Sequence, residues 1–563
     1  MTADARQLVT LALVAAGLWG CAATDAPQRS ATPPADYYGT REPFASEAVY
    51  FIVTDRFVDG DAGNNHADQG GAALGTFDRP IQLAGQGPAN IGYLGGDFRG
   101  IVNNAAYIAD MGFTALWITP IVDNPDEAFT GSTRPGEGPF ADKGKTGYHG
   151  YWGVNFFVVD EHLESPGLAF RDLTRVLSDD YDLKLVLDVV CNHGSPAYTM
   201  PEDQPKYGEI YDRDGVLLAD HQNLHPTELD HGNPLHRFYN RQPDLAQLSD
   251  MNESNPAVLD YFVEAYLQWI AQGAAAFRID TIRHMPHAFW KAFSDRIRAE
   301  HPGLFMFGES FVYDAEKIAQ HTFPGNGGIS VLDFPGQQAM NEVFGAGAPY
   351  SRLLDYLHLD TNVYHNPYDL MTFYDNHDMA RMDADDDGFI DANNWLFTSR
   401  GIPVVYYGSE IAFQAGAREH GGNRNYFGQH NVERAKTHRV RAALKAIATA
   451  RKASIALQRG LQVNLEFGDD TAAFYRVYRN DNVAQTALVL LNKGDLPLEL
   501  YVLPWTGNSA WIDALSGATV NPLTSDGAVS VAAHGVRVLL LDDVPAIEGL
   551  EDRLSLLQRA VDR

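Results

Sequence analysis

A (β/α)8 barrel of the α/β class, with an inserted domain after its third strand and an antiparallel β-sandwich behind it, is the architecture this sequence predicts. Three observations predict it. Eight apolar runs of strand length recur between residues 48 and 407, separated by amphipathic helical stretches such as Val258–Ala271 and Ala288–Glu300. The interval 194–249, behind the third run, is too long for a simple crossover and rich in turn formers, so it reads as a small domain of its own. From about Ser454 the pattern changes to short alternating strands.

Taken in order, the eight runs are Ala48–Thr54, Ala115–Thr119, Lys184–Val190, Ala275–Asp280, Leu304–Gly308, Ile329–Asp333, Met371–Tyr374 and Ile402–Tyr407. Eight β-then-α units are what a closed parallel barrel of the TIM type requires. Ala472–Val477, Thr486–Leu491, Leu498–Leu503 and Val536–Leu541 supply the sandwich, and Ile547–Arg563 reads as a charged helical tail. The division that follows is a barrel from 44–193 and 250–453, an inserted domain 194–249, a sandwich 454–545 and a tail 546–563.

Four stretches of the barrel place carboxylates at or near strand tips: Asp188-Val-Val-Cys-Asn-His193, Ala276-Phe-Arg-Ile-Asp280, Phe305-Met-Phe-Gly-Glu309 and Phe373-Tyr-Asp-Asn-His-Asp378. An acid on an apolar strand is costly unless it has a task. In a parallel barrel the C-terminal tips converge on one mouth, where active sites sit. One such acid would read as a helix cap or loop residue; four in register read as a site. Arg278 lies two residues before Asp280, so both side chains point the same way on a strand.

Composition is globular, with 45% apolar and 11% aromatic residues, which excludes wholesale disorder. The formal charge of −31 argues against nucleic-acid binding and suits an exported protein acting on a neutral polymer. Residues 7–19 form an apolar run too short for a permanent membrane helix, ending in Leu18-Trp-Gly-Cys21. It reads as a signal peptide over 1–21, either of the lipoprotein type, with Cys21 acylated, or plainly cleaved. The protein is then either a cell-envelope lipoprotein, in periplasm or outer membrane, or secreted. A disordered tether, 22–43, is expected next. If Cys21 is acylated, Cys191 is the only other cysteine, so no intramolecular disulfide is expected. Cys191 lies in an apolar run and reads as a small buried hydrophobe. Nothing in the sequence calls for a second subunit, and a monomer is expected.

The four acid-bearing blocks resemble the signature blocks of the α-amylase superfamily, retaining enzymes that act on α-glucans. Tyr50-Phe-Ile-Val-Thr-Asp-Arg-Phe-Val-Asp-Gly60, Tyr148-His-Gly-Tyr-Trp152, Leu248-Ser-Asp-Met-Asn252 and Thr281-Ile-Arg-His-Met-Pro286 are similar to the cyclodextrin glucanotransferase branch and its hydrolytic relatives. The blocks come in the right order, from about Tyr50 to the end of the globular part.

The resemblance implies Asp280 as nucleophile, Glu309 as general acid/base and Asp378 as a clamp on the sugar hydroxyls. Such chemistry needs Asp280 ionised, which Arg278 favours, and Glu309 protonated near neutral pH. His193 and His377 are implied to hydrogen-bond the same sugar ring. Tyr151 would stack on it with His149 beside it, Arg283 would contact the substrate on the leaving-group side with His284 next to it, Phe311 would be a retained substrate-binding aromatic, and Arg424 would line the non-reducing side. Calcium is the implied cofactor at two sites. One takes Asp59, Asp61, Asn64, Asn65, the Gly95 carbonyl and Asp97; the other takes Asn192, Asp250 and the His284 carbonyl. A third candidate comes from spacing alone: Asp383, Asp385, Asp387 and Asp391 stand at positions 1, 3, 5 and 9 of an EF-hand-like loop, with Gly388 at 6 but Asn394 in place of the final Glu.

Three functions follow: an endo-acting α-1,4-glucan hydrolase (an α-amylase) working on starch and maltooligosaccharides; a cyclodextrin glucanotransferase or maltogenic transglycosylase; or a non-catalytic glucan-binding protein, disfavoured because all three acids are retained. Hydrolysis is favoured because Ala246 and Ser310 stand where the glucanotransferase branch carries aromatics, though Phe311 is retained. No further starch-binding module appears, whereas those enzymes usually carry two more domains.

Overall fold

A computed structural model describes residues 36–67, 74–83, 87–135, 137, 141–413, 422–501, 510–520 and 528–562. The signal-peptide expectation, including Cys21, lies outside them. The eight barrel strands are β1 (Val49–Ile52), β2 (Ala115–Ile118), β3 (Lys184–Val189), β4 (Ala274–Ile279), β5 (Phe305–Gly308), β6 (Ser330–Val331), β7 (Met371–Thr372) and β8 (Ile402–Tyr406). They run parallel in the order β6-β5-β4-β3-β2-β1-β8-β7. A parallel bridge from Leu332 to Met371 closes the ring, and the amide of Asp333 donates to Met371 O at 2.9 Å. Their residues are apolar and mostly β-branched or aromatic because both faces are covered, one by the barrel interior and one by helices. Phe51 of β1 stacks on Trp117 of β2 at 3.7 Å inside this core.

β6 and β7 are shorter than the sequence predicts, because the residues that follow leave the ladder for other partners. Asp333 caps the helix Phe334–Met340 by accepting from Gly336 N, and its second oxygen takes Arg400 Nη1 at 2.6 Å. Two of the crossover helices start from side-chain caps. Asp97 accepts from Gly100 N at the head of Phe98–Asp110, and Asn255 accepts from Ala257 N at the head of Pro256–Ala271.

Between β3 and β4 the chain leaves the barrel through His193–Pro196 and returns through Leu248–Asp250, two strands paired antiparallel. The excursion holds a hairpin of Glu209–Tyr211 with Leu217–Asp220. After the barrel, among the described residues, six antiparallel strands and a separate two-stranded pair, Leu498–Tyr501 with Ala528–Val531, form the β-domain. It is fixed to the barrel by Trp395, edge-on to Phe467 and Phe474. The buried Arg476 reinforces that junction by donating to the Thr398 carbonyl at 2.8 Å.

Residues 36–43, expected to belong to the tether, are part of the folded structure. Tyr37 is fully buried and pairs with Arg479 of the β-domain, and Tyr38 N donates to Gln558 Oε1 of the last helix, Leu550–Val561. The run rich in Ala, Pro, Thr and Ser that suggests a tether ends just before Tyr37 and Tyr38. Among the described residues no helix is long and apolar enough to cross a membrane.

Candidate active site

Strands β4 and β5 deliver their acids side by side. The amide of Asp280 donates to Val189 O at 2.9 Å and that of Glu309 to Ile279 O at 2.8 Å, so each acid continues the ladder by one residue. Gly308 makes the approach possible, since a Cβ there would meet Ile282 Cδ1 at 2.5 Å. Arg278, fully buried, organises the floor. Its Nη1 lies 2.8 Å from both Asp188 Oδ1 and Asp280 Oδ1, and its Nη2 lies 3.0 Å from Glu309 Oε2.

Three carboxyl groups therefore share one guanidinium, and full ionisation would leave two uncompensated charges in a buried place. The structure resolves this unequally. Burial, joined by the charges of Asp378, Asp280 and Asp188, outweighs the pull of Arg278 and pushes Glu309 up to about 8. Asp188 is also pushed up, to about 7, by burial, with Arg278 opposing. Asp378 has a cation of its own, Arg424 Nη2 at 2.5 Å, while Arg424 Nε donates to His377 O. The arrangement sets a carboxyl whose pKa burial pushes up beside a second carboxyl bound to arginine, as two-carboxylate glycosidic chemistry needs.

Asp188 carries no role in the sequence reading, and it is central. It accepts from Arg278, from the Tyr151 hydroxyl at 2.8 Å and from Trp117 Nε1 at 3.1 Å. The available signal was a carboxylate inside an otherwise apolar strand. Tyr151 is held by this contact and its ring stacks on His377 at 5.4 Å, while His149 Nδ1 accepts from Tyr151 N. His193 Nε2 is 4.0 Å from Asp280 Oδ2; burial lowers its pKa, which favours the neutral imidazole, and its Nδ1 is buried without a partner. His377 Nε2 is 3.3 Å from Asp378. Arg283 is exposed and donates to Phe311 O at 3.2 Å. Cys191 is buried, and burial raises its thiol well out of the reactive range.

At the first expected calcium site, Asp97 Oδ2 accepts from Asp61 N at 2.8 Å, and Asn65 Nδ2 donates to Asp59 Oδ2 at 2.8 Å. The Asn64 side-chain oxygen is buried and accepts no hydrogen bond. Burial pushes Asp97 up to about 6, the mark of a carboxylate short of positive charge. A Cβ on Gly95 would strike Asn65 Oδ1 at 2.4 Å, so a bare backbone is needed there. These hard oxygen donors fit a divalent cation. At the second site Asn192 and His284 are both bound to Asp244, at 3.3 and 2.9 Å, a residue absent from the sequence reading. Burial raises Asp250, beside them, to about 7.

The EF-hand-like loop is not a loop. Asp385 caps the helix Asp386–Thr398 through Gly388 N, Asp386 and Asp387 lie in its first turn paired with Arg439, and Asp391 is buried inside it, bound by His534 Nδ1 at 2.7 Å. Acids at a helix N-terminus are stabilised by the cap and the helix dipole, and that preference produced the spacing. Among the described residues the acidic trio that does converge, with oxygens within 4.8 Å, is Asp123, Asp126 and Glu161. A cation of the protein's own stands there: Lys206 Nζ is 3.2 Å from Asp123 and 2.8 Å from Asp126.

A parallel eight-stranded barrel with paired carboxyls on one buried arginine defines a glycosidase-type site. The chain belongs to the α-amylase family of glycoside hydrolases and transferases: the family model for the alpha amylase catalytic domain matches residues 51–453. A cyclomaltodextrin glucanotransferase of Klebsiella oxytoca is 30% identical over 504 residues, covering 80% of this chain and 71% of that one. An alpha-amylase of Niallia circulans is 32% identical over 415 residues, covering 71% and 72%. Among solved structures CldA, described as the first cyclomaltodextrin glucanotransferase with a three-domain ABC distribution, superposes with a TM-score of 0.70 at 27% identity, covering 88% of this chain and 99% of that one.

Proposed function

We propose that the protein hydrolyses internal α-1,4-glucosidic bonds of starch and maltooligosaccharides by double displacement with retention. The observation that carries the reading is Arg278 holding Asp280 and Glu309 together while Glu309 keeps its proton up to about pH 8. Glu309 protonates the leaving oxygen, Asp280 attacks the anomeric carbon, and Glu309 then draws the proton from an incoming water. The reverse roles are disfavoured, because it is Glu309 whose carboxyl burial and the charges of Asp378, Asp280 and Asp188 push up. Asp378, tied to Arg424, His377 and His193 hold the sugar hydroxyls.

Transfer in place of hydrolysis, as in the glucanotransferase relatives, is the second reading, and the same three residues serve it. Domain count does not separate the two, since CldA carries three domains. Hydrolysis is preferred because Ala246 and the buried Ser310 offer an acceptor sugar no flat face. Digesting soluble starch with the purified protein and resolving the products tests this. Linear maltooligosaccharides are expected; a majority of cyclic products would establish the second reading, and no attack on starch would overturn both.

Calcium would be held by Asp59, Asp61, Asn64, Asn65, the Gly95 carbonyl and Asp97, and by Asn192, Asp250 and the His284 carbonyl. Its contribution there is to fix loops; it takes no part in the chemistry. Export, with or without an acylated Cys21, is proposed from the leader sequence, and mass spectrometry of the mature N-terminus tests it.

A further inference from the structure

The barrel has a second end, and the chemistry at the mouth makes no use of it. On that opposite face, at the N-terminal ends of β5 and β6, lies a cleft of about 470 Å³. Phe305 stands at its floor and Glu309 at the mouth, four residues apart along one strand and so about 13 Å from each other. The floor is apolar, made by the buried Leu304, Phe305 and Met306, with Phe305 backed by Phe44 at a ring distance of 4.6 Å. The walls are polar. The helix His287–Glu300 contributes Lys291, Asp295 and Arg298; Glu42 comes from the segment ahead of β1, and Asp369 stands two residues before β7. The cations on these walls are already engaged. Lys291 Nζ is 2.6 Å from Asp295 Oδ2, and Arg298 donates to the carbonyls of Gly327 at 2.5 Å and Gly328 at 2.7 Å. Thr322, Asn366 and Ser330 also give protons away, to the carbonyls of Ala319, Gly39 and Asp369. What remains is acceptors. Asp369 Oδ1 is buried and accepts no hydrogen bond. Burial pushes Asp369 up to about 7, against the hydrogen bond from Thr40, so its carboxyl exists in both forms near neutral pH.

We propose that this cleft is a second binding site, for a neutral, hydroxyl-rich molecule of about disaccharide size. Each property answers a feature of the walls. A surplus of acceptors calls for a ligand that brings donors, and hydroxyl groups do so without adding charge. A cationic ligand would sit beside Arg298 and Lys291, and a bare ion would leave most of the space empty. The volume is that of a small-molecule site, which runs from roughly 300 to 1,000 Å³. An apolar floor under polar walls suits a pyranose, whose C–H face is apolar and whose rim carries the hydroxyls. The site is separate from Asp280 and Glu309 and does not depend on the α-glucan reading. Maltose, a product of the reaction proposed above, has the chemistry it calls for.

The test titrates maltose into Asp280→Asn by calorimetry, with and without a second substitution in the cleft. Gly303 lines the cleft, and a Cβ there meets nothing within 4 Å, so Gly303→Trp adds bulk without a backbone clash. The number of maltose molecules bound per chain should fall by one in Gly303→Trp. In the otherwise wild-type enzyme the same change should leave kcat/KM on soluble starch within about two-fold. Asp369→Asn should weaken the site about 10-fold, because it removes a charged acceptor. Sucrose, titrated likewise, shows whether the site takes any such polyol or prefers α-glucan fragments; either result upholds it. Maltose binding unchanged in both variants overturns the proposal. So does a site that takes spermidine or calcium but no sugar and is lost in Gly303→Trp. If starch resists attack while the Gly303-sensitive site persists, the α-glucan reading falls and this site stands. Unchanged melting temperatures in both variants separate loss of the site from loss of the fold.

Discussion

Nη2 of Arg278 stands 3.0 Å from Oε2 of Glu309, yet Glu309 keeps its proton up to about pH 8. The guanidinium is already engaged by Asp188 and Asp280, so a third buried negative charge would find little net positive potential. Below about pH 8 the acid is loaded. The kcat/KM profile should therefore fall as pH rises through about 8. Glu309→Gln should lose about 10²-fold or more on starch but far less in the first step with α-maltosyl fluoride, whose leaving group needs no proton. The same shift affects stability. Because the native pKa lies above the usual 4.5, the native state binds more protons between 4.5 and about 8, so this group's contribution declines as pH rises through that window. Equal losses on starch and on the fluoride would remove Glu309 from the acid role.

Asp280→Asn should abolish turnover, by about 10³-fold or more, with the fold and glucan binding preserved, because the covalent route needs an anionic nucleophile. Steady-state kinetics on soluble starch and a denaturation curve check this together. Near-normal hydrolysis by the variant would sink the assignment.

Asp188→Ala leaves the fully buried Arg278 with one anion fewer and strips the Tyr151 hydroxyl and Trp117 indole of their acceptor. Asp280 still pairs with Arg278, so the cost is that of buried donors left without an acceptor, about 1–3 kcal/mol, and urea denaturation should show a loss of that order. Asp188→Asn, which keeps an acceptor, should fold better while still losing activity. A stability unchanged in Asp188→Ala would contradict the central place given to this carboxylate.

Chelation should lower the melting temperature, since an ion bound only by the native state stabilises it by mass action. Asp97→Ala should abolish most of the effect. Lys206→Met, by contrast, removes the tethered cation from Asp123, Asp126 and Glu161, and should make stability more responsive to added calcium than it is in wild type. Metal analysis that finds no calcium, with melting unmoved by chelator, would dispose of both implied sites.

Ala246→Tyr should raise the share of transfer products from starch in the presence of added maltose. The residue is half-buried in the inserted domain with a left-handed backbone, φ +46°, fixed by the Tyr198 hydroxyl on its carbonyl at 2.8 Å. A stacking ring there is worth about 1 kcal/mol, several-fold in partition between sugar and water. An unchanged product ratio would show that acceptor stacking does not set the balance.

What the sequence determined by itself was the barrel and its acids. Strand periodicity and burial are local properties, so eight apolar runs located eight strands, and Asp280, Glu309 and Asp378 announced themselves by ending or following such runs. That Asp280 meets Arg278 could be expected, since the two lie on one strand; that Glu309 shares the same guanidinium could not. The tertiary structure decided everything that depends on which groups meet across the barrel. It brought Asp188 under Arg278 from the neighbouring strand, set Asp244 between Asn192 and His284, and gave the acidic trio near Lys206 its internal cation. It also overruled spacing at 383–391: an acid-rich stretch has the same pattern as a calcium loop or as a capped helix, and Arg439, His534 and the packing of Trp395 selected the helix. Charge compensation depends on distance in space, and residues far apart along the chain set that distance.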